Sequence, residues 1–201
     1  MASRGKKTGR PAPPREPRRP RRSARARELS ELESFTLGLV WQLGPCSPYE
    51  IRRHMKGSPS TQWSASAGAI YPLMRRLEKG GMVESRPART GRRTRREYTI
   101  SPAGEEALRR WIGPPLPREA VSVTYDPLRS RARFLGAATP TQRRAWLRDA
   151  EAALDQVAEM VRAWQTEYGG ENPYLSLVTR NGELETEARR RWIGEMAQML
   201  G

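Results

Sequence analysis

Six arginines, Arg86, Arg89, Arg92, Arg93, Arg95 and Arg96, fall within eleven positions, with no acidic residue among them. A cluster of that density repels itself. The chemistry it suits is contact with a polyanion, since each guanidinium offers a planar fork of donors that matches phosphate. Thr90-Gly91 allows a tight turn between them, and a tight arginine loop suits a duplex minor groove, where arginine responds to groove width. A second set lies just before the cluster. Tyr71, Arg75, Arg76 and Lys79 fall on the helical face opposite Ile70, Leu73, Met74 and Leu77, whose i, i+3, i+4, i+7 spacing marks a buried stripe. Arg75 and Lys79, one turn apart, suit backbone or guanine contacts in a major groove. Tyr71, near the helix N-terminus, can offer its hydroxyl to a phosphate or its ring to a sugar. With Tyr49, Ser64 and Ser66, these residues complete the candidate DNA-binding set: Tyr49, Ser64, Ser66, Tyr71, Arg75, Lys79, Arg86, Arg92, Arg93, Arg95 and Arg96.

Other chemistries find little to work with. Cys46 is the only cysteine and His54 the only histidine. No internal disulfide, His/Cys metal cluster, or Ser-His-Asp or Cys-His arrangement follows from that inventory, so neither a cofactor nor a metal is expected, and the chain does not read as an enzyme. No run of about 18 apolar residues exists, which argues against a membrane partner. With no secretory h-region, the expected location is cytoplasmic, on the nucleoid.

The net charge of +15 is unevenly placed. Residues 1–28 hold eleven Lys and Arg against two acids, residues 29–138 eighteen against ten, and residues 139–201 eight against ten. The positive field therefore belongs to the N-terminal two thirds, where it favours nucleic acid. The near-neutral remainder needs a different role.

Stepping along the chain gives the elements that must position these side chains. Residues 1–28 are rich in Pro and Arg and almost free of apolar side chains, which predicts a disordered basic arm. Gly9-Arg10-Pro11 beside Lys6 and Lys7 is similar to an AT-hook, which lays an arginine in a minor groove. Leu29 to Leu43 has helical periodicity. Ser47-Pro48-Tyr49-Glu50 is a capping box with proline at the first helical position, opening a short helix to about Lys56. Residues 62–66 lead into a helix over 66–79, capped by Ser66 and stopped by Gly80-Gly81. Met82–Arg86 and Glu97–Ile100 have strand character and flank the arginine loop. Ser101-Pro102 starts a further helix that ends at Gly113-Pro114-Pro115.

Asp126-Pro127 opens a short helix, and Thr139-Pro140-Thr141-Gln142 is a second capping box. The long helix it starts, to about Tyr168, carries Leu147, Ala150, Leu154, Val157, Val161, Trp164 and Tyr168 at alternating steps of three and four, the spacing of a helix–helix seam. Gly169-Gly170 and Asn172-Pro173 turn the chain. A last helix over about 183–200 bears Leu184, Ala188, Trp192, Met196 and Met199. Two antiparallel amphipathic helices beyond a DNA module predict a homodimer interface through Leu147, Leu154, Val157, Val161, Trp164, Trp192 and Met196; the same pattern also suits an intrachain hairpin. Trp146, Trp164 and Trp192 invite the reading of an effector site, although aromatic residues at this spacing also serve simply as core.

The predicted fold is mainly α with a small β-hairpin wing: a winged helix-turn-helix domain plus a C-terminal helical dimerisation domain. The boundaries are 1–28 for the arm, 29–115 for the DNA-binding domain, 116–138 for a linker and short helix, and 139–201 for the dimerisation and effector domain.

Leu29 to Trp111 resembles the N-terminal domain of the PadR-like transcriptional regulators. The resemblance rests on Tyr49-Glu50-Ile51, on Ser66-Ala67-Gly68-Ala69-Ile70-Tyr71-Pro72-Leu73 followed by Arg76-Leu77-Glu78, on Gly81-Met82-Val83, and on Arg95-Arg96-Glu97-Tyr98-Thr99-Ile100-Ser101-Pro102-Ala103-Gly104. The C-terminal part, with Trp192, is similar to the longer, Vir-type members. The family often has Pro and Ser or Thr where this chain has Ala67 and Ala69, and the arginine-rich arm lies outside the family pattern. The resemblance implies a winged helix that contacts double-stranded DNA, Tyr71 included, and a family in which some members bind aromatic small molecules between subunits. The expected function is a homodimeric repressor on a pseudo-palindromic operator, released by a small aromatic effector. A non-specific architectural, nucleoid-type DNA or RNA binding protein is the alternative.

Overall fold

A computed structural model describes residues 28–90, 93–170 and 172–200. The basic arm and Arg92 lie outside the described residues. At Arg93 only the strand backbone is described. The elements are α1 (Glu31–Leu43), α2 (Pro48–Gly57), α3 (Thr61–Ser66), a 3-10 turn (Ala67–Ala69), α4 (Ile70–Lys79), β1 (Val83–Thr90), β2 (Arg93–Ile100), α5 (Pro102–Ile112), α6 (Arg118–Val121), α7 (Pro127–Ala132), α8 (Pro140–Tyr168) and α9 (Pro173–Leu200). The fold is mainly helical with one antiparallel hairpin, as the periodicity predicts.

Local chemistry sets most of the boundaries. Ser47 and Glu50 form the expected capping box, with Ser47 N donating to Glu50 Oε2 at 2.7 Å. Thr139 and Gln142 repeat it at the start of α8. A third box, Ser30 with Glu33, opens α1. Gly80-Gly81 ends α4 through a Schellman arrangement: Met82 N donates to Leu77 O at 2.9 Å and Gly81 N to Glu78 O at 3.0 Å. Gly81 takes φ +72°, where a Cβ would be strained.

Two cores result. The first gathers Leu37, Val40, Ile51, Met55, Ile70, Leu73, Met74, Leu77, Val83 and Tyr98, so that α1, α2, α4 and the hairpin share one interior. Cys46 joins the sheet by a two-way bridge to Tyr98, with N–H···O distances of 3.1 and 2.8 Å. The second core lies between α8 and α9 and contains Leu147, Ala150, Leu154, Ile193 and Met196, with Trp146 and Trp192 packed against it.

Three sequence expectations change here. The helix expected to begin at Ser66 begins at Ile70, because residues 61–69 form α3 and a 3-10 turn of their own. The last helix starts at Pro173 rather than near 183. Asn172 Oδ1 accepts from Tyr174 N at 3.0 Å, and Asn181-Gly182 does not interrupt the helix. Gly182 instead lets α9 approach the Val161 side chain, 3.6 Å from where a Cβ would stand. The seam expected between subunits is filled within the chain: α9 covers Leu147, Leu154 and Val161 of α8, with Trp192 and Met196 on the facing side. Val157 sits at its exposed edge, and Trp164 turns to the winged helix. A heptad pattern specifies that a face is covered, not by which helix.

Candidate nucleic-acid interface

The apolar stripe of α4 seats it on α1, α2 and β1, and this decides what faces outward. Tyr71 is half exposed, and Arg75 and Lys79 stand in solvent with no ion-pair partner among the described residues. Three free polar side chains on one face suit a strongly hydrated anionic surface. Arg76, placed with them by helical spacing, belongs elsewhere: its Nε donates to Glu33 Oε1 at 3.1 Å.

The expected hydroxyl contribution of Ser64 and Ser66 is altered by local bonding. Ser64 Oγ donates to Ser60 O at 3.1 Å and Ser66 Oγ to Gln62 O at 2.7 Å, so both protons are committed to the preceding turn. Ser66 therefore does not cap α4. The backbone at Ser66, Ala67, Ala69 and Ile70 is right-handed helical, and Ala69 holds the N-cap position without a side-chain bond. The helix N-terminus expected at Ser66, where phosphate would be favoured, is instead part of a helical run.

Tyr49, second residue of α2, is exposed. Arg52, Arg53 and Lys56 are exposed on the same helix, while Ile51, His54 and Met55 are buried. This second basic stripe is absent from the predicted set. Its signal was present in the spacing 49, 52/53, 56 around the capping box.

In the hairpin the register pairs Arg86 with Glu97, Pro87 with Arg96, Ala88 with Arg95 and Thr90 with Arg93. Alternation along each strand divides the described arginine side chains. Arg86 and Arg95 share the outer face with Glu97, at 4.0 and 2.8 Å. Arg89 and Arg96 lie on the face shared with Val83 and Tyr98. Arg96 reaches Glu78 of α4 at 3.2 Å, and Ser85 Oγ donates to the same carboxylate. The sequence reading had no acid to answer the wing charge. Glu97, two residues from Arg95, and Glu78, across the fold, supply two. Arg89 has no ion-pair partner among the described residues. The Glu78 link ties the wing to the end of α4, so that these two elements are joined.

Burial shifts the lone cysteine and the lone histidine. Burial, aided by Glu50 and Glu97, pushes the Cys46 thiol up to about 11, which keeps it neutral. Burial likewise holds His54 below the ordinary histidine value. The three tryptophans proposed for an effector do not converge. Trp164 lies beside His54, Trp192 flanks the α8–α9 core, and Trp146 borders an open cavity of about 490 Å³ with Tyr125, Arg131, Phe134 and Leu135. No helix of the described residues is long and apolar enough to cross a membrane.

Residues 37–110 match the model of the transcriptional regulator PadR-like family. No curated protein sequence matches the chain. Among solved structures, Bacillus subtilis PadR in complex with operator DNA is similar, with a TM-score of 0.69 and 20% identity over 85% of this chain and 99% of that one. The PadR-like regulator BC1756 from Bacillus cereus has a TM-score of 0.70 and 17% identity, over 89% and 99%. Bacillus subtilis PadR in complex with p-coumaric acid has a TM-score of 0.65 and 18% identity, over 84% and 94%.

Proposed function

We propose that this chain, whose residues 37–110 match the PadR-like transcriptional-regulator model, acts as a homodimeric repressor on a pseudo-palindromic operator. The observation that carries the reading is the outward face of α4: Tyr71, Arg75 and Lys79 are free and exposed on the element that Glu78 ties to the arginine wing. Each subunit places α4 in a major groove. Arg86, Arg92, Arg93, Arg95 and Arg96 follow the adjacent backbone or minor groove, and Tyr49, Ser64 and Ser66 lie at its margin. The Bacillus subtilis PadR structure with operator DNA supports this use of the fold.

Residues 29–115 form the DNA-binding domain, residues 116–138 the linker, and residues 139–201 the dimerisation domain. The arm over 1–28 adds phosphate contacts. The second subunit docks on the exposed apolar side chains of α9, Tyr174, Leu177, Val178, Leu184 and Met199, which the single chain leaves uncovered. Two-fold symmetry sets the half-sites about one helical turn, or a multiple, apart. A small aromatic effector releases the repressor, and the cavity beside Trp146 is its candidate seat. A p-coumaric acid complex of Bacillus subtilis PadR supports that class of ligand.

The test is selection of bound genomic fragments followed by competition with unrelated duplex. A regulator prefers its site by about 10³-fold or more. Equal competition by any duplex would favour an architectural binder dominated by the arm.

A further inference from the structure

His54, the only histidine of the chain, is 6% exposed on the inner side of α2. The last turns of α8 close over it. The Tyr168 ring lies 4.6 Å away at 72° and the Trp164 ring 5.8 Å away at 71°, both meeting the imidazole edge to face. Tyr168 also lies over Gly57 at the end of α2, where a Cβ would be 3.7 Å from its hydroxyl. His54 Nδ1 and Trp164 Nε1 are buried, and neither has a hydrogen-bond partner among the described residues. Among the described residues, no helix or strand of the winged helix packs extensively along α8 or α9, and this small aromatic joint is a place where they meet.

We propose that His54 is a pH-sensitive latch between the winged helix and the C-terminal hairpin, closed when the imidazole is neutral and opened when it is protonated. A protonated ring would hold a second N–H donor at Nδ1 with no acceptor near it, inside a joint made of rings. The charged groups that act on it are few. Burial disfavours the cation most, Glu167 of α8 favours it, and Arg53 of α2 opposes it, so that burial and Arg53 together lower the histidine from its ordinary value. Tyr168 is itself raised by burial and by Glu167, so it stays a neutral phenol throughout this range. The sign follows. A lowered histidine stabilises the docked state in full above its ordinary value of about 6.5, and that contribution is lost as pH falls through the lowered one. On the reading of the protein as a DNA-binding dimer, opening the latch frees the two winged helices to change their spacing.

The test uses the full chain without DNA, so its outcome does not depend on the DNA-binding reading. The sole histidine gives one imidazole resonance whose titration NMR reads directly. Amide exchange over residues 161–168, corrected for intrinsic rates, is followed from about pH 7.5 to 5. Expected are a histidine titrating below its ordinary value and an opening that rises by up to about tenfold per pH unit in that window. In His54→Phe, which keeps a ring, the corrected exchange should be flat. His54→Gln serves as the second neutral variant should the first not fold. A histidine titrating at or above its ordinary value, or the same rise in wild type and in the neutral variant, would overturn the latch.

Discussion

Arg76 Nε donates to Glu33 Oε1 at 3.1 Å, joining the middle of α4 to the first turn of α1 across 43 residues of sequence. Glu33 is 2% exposed and also accepts from Ser30 N at 3.0 Å within its capping box, whereas the Arg76 side chain is 51% exposed. One carboxylate thus serves the start of α1 and the anchoring of α4. Arg76→Leu is expected to cost about 1–3 kcal/mol, the range of a hydrogen bond to a charged group. Urea unfolding at neutral pH measures it. A variant as stable as wild type would show that Glu33 is satisfied without Arg76.

The wing makes an electrostatic prediction. Replacing Arg92, Arg93 and Arg95 by alanine should weaken DNA binding and lower the slope of log K against log salt by about two to three units. Arg89→Ala should lower it by about one, since no carboxylate competes for that guanidinium among the described residues. Unchanged slopes would remove the wing from the interface.

The proposed dimer contact is separable from folding. Leu177 and Leu184 are exposed on α9 and lie outside the α8–α9 core. Leu177→Glu with Leu184→Glu should give a folded chain that sediments as a monomer and binds a palindromic operator far more weakly. A double variant that still sediments as a dimer would place the interface elsewhere.

The wing must also sit correctly on α5. Gly104 is buried there, and a Cβ at that position would run into Met82 O and, at 2.8 Å, into Ile100 Cγ1. Because the first obstacle is backbone, Gly104→Ala should cost about 1–3 kcal/mol by displacing the base of the hairpin. Thermal unfolding reports it, and an unshifted midpoint would mean the hairpin yields freely.

Acid sensitivity follows from the capping box of α2. The backbone N–H of Ser47, then its hydroxyl, hold the Glu50 carboxyl below its usual range. A lowered carboxylate stabilises above its ordinary value and loses that contribution as pH falls through the lowered one. Wild type should therefore lose its stability advantage over Glu50→Gln between about pH 5 and 3. At neutral pH Ser47→Ala should cost about 1 kcal/mol. Parallel pH profiles for wild type and Glu50→Gln would argue against the box.

What could be read from the chain was chiefly what neighbours in sequence control. Ser47-Pro48-Tyr49-Glu50 and Thr139-Pro140-Thr141-Gln142 start helices because their side chains bond backbone three residues away. Gly81 ends one because it tolerates a left-handed turn, and the stripe through Ile70, Leu73, Met74 and Leu77 leaves Tyr71, Arg75 and Lys79 outside. The order of helices, the hairpin and its arginine load follow from such short-range rules. Long-range pairing lay beyond them. Helical spacing put Arg76 beside Arg75, but a carboxylate buried in α1 captures it. The heptads of α8 required a covering helix, and α9 of the same chain supplies it. Trp164 shared the seam's periodicity, yet it faces His54, since a period states that a side chain is covered and only the assembled chain states by what.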